Sequence, residues 1–174
     1  MNTVKIDLCG LPDELRSGLE KLCMHEGFRS GTDGIRLSAR RGGAFSAEFD
    51  GQTLRVEYCE PVQFFRALSY LKRADHRRFA LHRQPVFEHN GVMLDCSRNA
   101  VPRVEAVKMV LRKMALMGLN TLMLYTEDTY EVPEQPYFGY LRGRYSVEAL
   151  RGLDSYAAAL GIELVPCIQT LAHL

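Results

Sequence analysis

The sequence lacks the features that would direct it to a membrane or to nucleic acid. No apolar run approaches the roughly 20 residues that are needed to cross a bilayer. The formal net charge of the 174 residues is only +1, so the chain has no long-range field that would attract nucleic acid or a membrane surface. We therefore predict no nucleic-acid partner and no membrane partner.

The chain lacks paired cysteines, since its five cysteines are isolated from one another. The chain has an odd number of thiols, no C-x-x-C pair and no signal-peptide pattern at its amino terminus. Thiols with this distribution are typical of reduced intracellular proteins. The sequence therefore predicts a cytoplasmic location.

Residues 1–85 have the pattern of a small α+β domain. Asp50-Gly51 predicts a tight hairpin turn. The periodicity predicts helices that begin near Pro12 and Pro61, and strands over residues 4–8, 35–39, 44–49 and 54–58. We expect three or more antiparallel strands with both helices on one face of the sheet, and nothing in this part assembles a functional site.

The pattern changes after Gln84-Pro85, and residues 86–174 read as a second, incomplete domain with the order β-α-β-α-β. Amphipathic helices follow Pro102 and Ser146. Short apolar runs predict strands over residues 91–95, 121–125 and 162–168. Continuous apolar runs of this length are typical of parallel strands that are buried on both faces.

Carboxylates or a histidine follow each of these three strands. Asp95 ends the first, Glu127 and Asp128 follow the second, and His173 follows the third. Active sites of (β/α)8 barrels are built at the carboxyl ends of the strands. The alternative, a doubly wound nucleotide-binding sheet, is disfavoured because no glycine-rich phosphate-binding motif follows any strand. We predict no cofactor.

The predicted fold class is therefore α/β: a small α+β amino-terminal domain, then the first three strands and two helices of a (β/α)8 barrel. A complete barrel takes about 250 residues, so we expect the chain to be part of a longer enzyme. An unpaired strand edge and uncovered helices favour association with other chains. We therefore predict self-association of this chain by itself.

Three segments of the second domain resemble glycoside hydrolase family 20, the β-N-acetylhexosaminidases, and in particular its unsecreted branch. They are Gly91-Val-Met-Leu-Asp-Cys-Ser-Arg-Asn99, Leu124-Tyr-Thr-Glu-Asp-Thr-Tyr130 with Tyr137-Phe-Gly-Tyr-Leu-Arg-Gly-Arg-Tyr145, and Val165-Pro-Cys-Ile-Gln-Thr-Leu-Ala-His173. The family also places a small α/β domain ahead of its barrel, similar to residues 1–85.

The resemblance implies hydrolysis of terminal β-linked N-acetylglucosamine or N-acetylgalactosamine with retention of configuration. In this family the 2-acetamido group of the substrate is the nucleophile. An Asp-Glu pair after the fourth strand orients that group and supplies the general acid/base. That pair is not in this chain, so we expect the 174 residues by themselves to be inactive.

The resemblance also implies roles for residues that are present. Asp128 and His173 match a relay that orients and tunes the glutamate of the missing pair, since a carboxylate can fix the tautomer of an imidazole. The residues predicted to bind substrate are Asp95, Arg98, Glu127 and Tyr137.

Several alternatives stay open at this point. Arg98 could form an ion pair with Asp95 instead of contacting sugar hydroxyls, and Glu127 could simply be solvated. Many family members carry an arginine just before the first strand, whereas this chain has His89-Asn90 there, which leaves the choice between gluco and galacto substrates open.

Two other functions are also compatible with the sequence. Asp95, Glu127, Asp128 and His173 could bind a divalent cation, as in a metal-dependent barrel isomerase or hydrolase. The chain could also be a non-catalytic sugar-binding fragment.

Overall fold

A computed structural model of the protein describes residues 3–98, 100–169 and 171. Within these ranges the chain forms two β-sheets and four α-helices. The strands are β1 (Val4–Asp7), β2 (Phe28–Ser30), β3 (Ile35–Arg41), β4 (Phe45–Phe49), β5 (Thr53–Tyr58), β6 (Phe79–Arg83), β7 (Gly91–Asp95), β8 (Thr121–Tyr125) and β9 (Glu163–Cys167). The helices are α1 (Asp13–His25), α2 (Pro61–Ala74), α3 (Val104–Met117) and α4 (Val147–Ala159).

The first sheet contains six strands in the order β2-β1-β3-β5-β4-β6. The expected three antiparallel strands are present as β5, β4 and β6, but three of the five strand pairings are parallel, since β1 pairs in this way with β2 and with β3, and β3 with β5. Only β4 pairs antiparallel, with β5 and with β6. The predicted turn at Asp50-Gly51 is confirmed: the Asp50 carboxylate accepts hydrogen bonds from the amides of Gln52 and Thr53 at 2.9 and 2.8 Å.

Local sequence determines where the helices begin and end. A capping box between Glu60 and Gln63 begins α2, and the hydroxyl of Ser146 accepts a hydrogen bond from the amide of Ala149 at 3.1 Å at the start of α4. Gly118 ends α3 in the left-handed conformation with φ of 77°, which glycine adopts without a steric penalty.

Among the residues that the structure describes, no helix is both long enough and apolar enough to span a membrane.

The second sheet has the order β7-β8-β9, with both pairs parallel. Its strands fall where the apolar runs predicted them, and α3 and α4 are the crossover helices. Leu122 and Leu124 are buried against the helices, whereas Met93 on the opposite face is 55% exposed in this chain alone, so burial on both faces stays a prediction for the longer protein. This face carries the strand residues that lead to the candidate site.

The helices of the two sheets pack on one another and share a continuous apolar core. Side chains of α1 and α2 contribute Leu15, Leu19 and Leu68 to this core, and Val107 and Leu153 of α3 and α4 join it. The division into domains over residues 1–85 and 86–174 stays a prediction. The packing provides a rigid base beneath the carboxyl ends of β7, β8 and β9.

Candidate active site at the carboxyl ends of the second sheet

The three strands of the second sheet end side by side. Asp95 is in register with Tyr125, and Tyr125 is in register with Cys167. Because the side chains of one register row project to the same face of a sheet, these three residues form a row at its carboxyl edge. Tyr125 has a raised pKa, because burial disfavours the phenolate and the nearby Glu127 carboxylate adds to the rise.

Asp95 is held by the residue two positions further along the chain. One of its oxygens accepts hydrogen bonds from the Ser97 hydroxyl at 2.6 Å and from the Ser97 amide at 2.8 Å. These bonds hold the pKa of the carboxyl below its usual value, and the positive charges of Arg98 and Arg142 lower it further. Ser97 is the direct hydrogen-bond partner of Asp95, and Arg98 is exposed, so the choice between an Asp95–Arg98 ion pair and a sugar contact of Arg98 stays open.

A tight turn after β8 carries the two adjacent carboxylates. The amide and hydroxyl of Thr129 both donate to the Thr126 carbonyl, at 2.9 and 2.7 Å. Glu127 lies inside this turn with φ of 49°, a left-handed conformation that non-glycine residues rarely adopt. The turn thus brings the side chains of Glu127 and Asp128 to the same arginine, Arg142.

Glu127 is 6% exposed, so the suggestion that it is simply solvated is wrong. Its Oε2 lies 3.8 Å from Nη1 of Arg142, and that same nitrogen lies 2.5 Å from Oδ1 of Asp128. The second contact brings opposite charges together without the angles of a hydrogen bond. Arg142 therefore forms ion pairs with both carboxylates at the end of β8, and its single positive charge balances only one of them.

Several polar atoms around this ion cluster are buried and have no hydrogen-bond partner within the described residues. They are Oγ1 of Thr126, Oε1 of Glu127, Oδ1 of Asp128, Nε and Nη2 of Arg142, and Oε1 of Gln169. Buried polar atoms without partners are costly, and a catalytic role is one explanation for them. This concentration marks the end of β8 as the part of the described chain with the most unsatisfied polarity.

The segment between the turn and α4 is a long loop, residues 131–144, which we name the aromatic loop. Its ends are closed by hydrogen bonds from the Glu131 amide to the Tyr145 carbonyl and from the Tyr145 amide to the Thr129 carbonyl, both at 3.0 Å. The Tyr145 hydroxyl donates to the Pro102 carbonyl at 2.6 Å. The loop is therefore fixed to the turn after β8 and to the segment before α3.

The aromatic side chains of this loop separate into an inner and an outer group. Phe138 packs edge-on against Tyr130 with ring centroids 5.1 Å apart, as expected for a packing residue. Tyr137 is 82% exposed and meets only the edge of Tyr140, at 6.1 Å between centroids. Its predicted contact with substrate stays a prediction.

The structure thus brings Asp95, Glu127 and Asp128 to one edge, with Arg98 exposed beside them and Tyr137 at the loop surface. His173 lies outside the described residues, so its pairing with Asp128 stays a prediction. The role of Arg142 was not predictable from the sequence, because its 14-residue separation from Asp128 carries no local signal. Tyr125 was detectable, since the alternation along β8 places it on the face of Asp95.

In the described ranges, no three His, Cys, Asp or Glu side chains are grouped so that they could hold a metal ion. The oxygens of Asp95 and Asp128 face Ser97 and Arg142 instead. The metal-dependent alternative therefore receives no support from this part of the chain.

Comparison with known proteins identifies the class first. No family model matches the sequence. A beta-hexosaminidase of Emericella nidulans is 34% identical over 97 residues, which cover 51% of this chain and 16% of that protein. A beta-hexosaminidase of Vibrio furnissii is 26% identical over 164 residues, which cover 75% of this chain and 27% of that protein. The similarity is thus to glycoside hydrolases, and the chain spans only about a sixth to a quarter of these relatives.

Solved structures share the fold of this chain. The GH20 exo-β-N-acetylglucosaminidase of Vibrio harveyi, solved in complex with N-acetylglucosamine, superposes with a TM-score of 0.71 and 19% identity over 95% of this chain and 32% of that chain. The resemblance to glycoside hydrolase family 20 and the predicted fold class are therefore confirmed.

Proposed function

We propose that the protein containing this chain is an exo-acting, retaining β-N-acetylhexosaminidase that removes terminal β-linked N-acetylglucosamine or N-acetylgalactosamine. The observation that carries the proposal is the likeness to an exo-β-N-acetylglucosaminidase over 95% of this chain, because a likeness of that extent includes both sheets. The relatives named beta-hexosaminidase support the same activity.

The chain contributes supporting residues of the active site rather than its central pair. Asp128 lies at the end of β8, where barrel enzymes place catalytic groups, and its carboxylate is fixed by Arg142. In this proposal Asp128 orients His173, which in turn tunes the general acid. Asp95 and Arg98 face the sugar from the end of β7, and the exposed Tyr137 offers a ring to an apolar sugar face.

The central Asp-Glu pair would follow a fourth barrel strand, whereas this chain contains β7, β8 and β9 of the barrel. The 174 residues alone are then expected to be inactive. A groove of about 310 Å³ beside β9 supports the proposal that they also self-associate. It is lined mainly by Leu124, Tyr130, Leu150, Leu164, Pro166 and Ile168.

A cytoplasmic location is also proposed, because all five cysteines are free thiols. Thiols of this kind persist in a reducing compartment.

The activity is tested with two chromogenic substrates that differ only in the 2-acetamido group, a β-N-acetylglucosaminide and a β-glucoside. The protein containing this chain should hydrolyse the first and leave the second intact, because the acetamido group is the nucleophile. Equal hydrolysis of both substrates, or loss of hydrolysis with a chelator, would overturn the proposal. Binding of N-acetylglucosamine without hydrolysis would favour the non-catalytic alternative.

A further inference from the structure

Arg142 is the cation shared by the two carboxylates after β8. Its Nη1 lies 2.5 Å from Oδ1 of Asp128 and 3.8 Å from Oε2 of Glu127. Its side chain is 22% exposed and that of Glu127 is 8% exposed, so solvent screens this cluster only in part. Removal of one partner from a buried ion cluster leaves an uncompensated charge, and the two carboxylates would then also repel each other.

The same arginine belongs to the aromatic loop. Its amide donates to the Gly139 carbonyl at 3.1 Å, and Nη1 of Arg144 donates to the Phe138 carbonyl at 2.6 Å. Gly139 itself has φ of 64°, and a Cβ there would collide with the carbonyl oxygen of Asp128. The backbone of the loop therefore lies against the backbone of Asp128, and Arg142 makes the corresponding side-chain contact.

The geometry of Glu127 also indicates that Arg142 connects the turn after β8 with the aromatic loop. Its carboxylate is buried, and its Oε1 has no partner among the described residues. Its Oε2 lies 3.8 Å from Nη1 of Arg142. Glu127 is thus a second ion-pair partner of the arginine, and its predicted contact with substrate stays a prediction.

We propose that Arg142 is a positioning residue that fixes the Asp128 carboxylate and the aromatic loop to each other, with Glu127 as its second anchor. The part played by Asp128 rests on the proposed function. Loop and carboxylate then move as one unit, so that the exposed Tyr137 keeps a constant position relative to the end of β8.

The test combines kinetics with hydrogen exchange in the protein that contains this chain. The variants are Arg142→Met, Arg142→Lys, Asp128→Asn and the double variant Arg142→Met/Asp128→Asn. Arg151→Met, which alters an exposed arginine of α4, is the matched control. Turnover is measured on the chromogenic β-N-acetylglucosaminide, and amide exchange is followed at Tyr140, Arg142 and Tyr145.

Arg142→Met should lower kcat about 100-fold, because a displaced catalytic group typically costs that much. KM should change less than kcat, and Arg142→Lys should recover part of the loss because it keeps the charge. The double variant should be no slower than Asp128→Asn, since residues that act through one another are not additive. The three amides should exchange faster in Arg142→Met and at wild-type rates in Arg151→Met.

Independent, multiplying effects of the two substitutions on kcat would overturn the proposal, as would unchanged exchange in the loop. A wild-type protein without hydrolysis would reject the proposed function only. Hydrogen exchange would then decide the inference by itself: faster exchange confined to the loop and the turn supports it, and unchanged exchange overturns it.

Discussion

The carboxylate of Glu26, just after α1, accepts a hydrogen bond from Nε of Arg112 in α3 at 3.2 Å, and both side chains are buried. The ammonium of Lys113 lies 2.5 Å from the second oxygen of Glu26. Nη1 of Arg112 also donates to the hydroxyl of Tyr156 in α4 at 3.0 Å. The Glu26 carboxylate therefore connects the end of α1 with α3, and Arg112 extends this connection to α4.

Substitution Glu26→Gln should destabilise the whole chain, because it leaves the Arg112 guanidinium buried without a counter-charge. We expect a loss of about 3 kcal/mol in the free energy of unfolding, the usual scale for a broken buried pair. Denaturant unfolding followed by circular dichroism measures it. Glu20→Gln, at an exposed position of α1, is the control, and equal midpoints for both variants would contradict the role of Glu26.

Gly18 marks the closest approach between α1 and α4. A Cβ at this position would overlap the carbonyl oxygen of Ala159 and the ring of Phe65, and a backbone carbonyl cannot move aside cheaply. Gly18→Ala should therefore destabilise the protein by about 1–3 kcal/mol through overpacking, although alanine is the better helix former. At Gly152 in α4 a Cβ would meet open space, so Gly152→Ala should stabilise the protein by about 0.5–1 kcal/mol. If Gly18→Ala also stabilised the protein, α1 and α4 would not be closely packed at Gly18.

The pKa of Asp95 should rise towards its usual value of 3.8 in Ser97→Ala, because the hydroxyl that stabilises the carboxylate is removed. In the wild type the depressed pKa of Asp95 stabilises the fold at pH values above the usual pKa. This stabilisation is lost as the pH falls through the lower pKa of the folded state. The loss of stability at acidic pH should be smaller in Ser97→Ala. NMR titration of the Asp95 carboxyl carbon measures the shift, with the exposed Ser155→Ala as control; an unchanged titration would contradict the assigned cause.

The 174-residue chain by itself should associate through the apolar groove beside β9. Light scattering should show a mass that increases with concentration, and Ile168→Lys should reduce it, because Ile168 lines the groove and is 38% exposed. A wild-type chain that stays monomeric at all concentrations would count against this prediction.

The second sheet was predictable because its strands are short apolar runs bounded by clear helix signals. The run Thr121–Tyr125 contains β8, and Gly118 ends the helix before it, as the sequence indicates. The pairing in the first sheet was not predictable, since β3 and β4 follow one another in the chain but are separated by β5 in space. The short β2 and the basic β6 have too little apolar alternation to be recognised.

The residues of the candidate site were likewise predictable only in part. Residues at strand ends, such as Asp95 and Asp128, could be predicted because parallel topology places them at one edge. The partners of these residues could not be predicted, because Ser97 and Arg142 are selected by turn and loop geometry. The burial of Glu127 depends on Arg142 and was missed for the same reason.

The most direct test of the account is the turnover number of Asp128→Asn in the protein that contains this chain, measured on the chromogenic β-N-acetylglucosaminide. The account predicts a fall in kcat of about 100-fold or more, within the range for groups that support proton transfer, with Asp154→Asn on the exposed face of α4 unchanged. A kcat for Asp128→Asn equal to that of the wild type would contradict it.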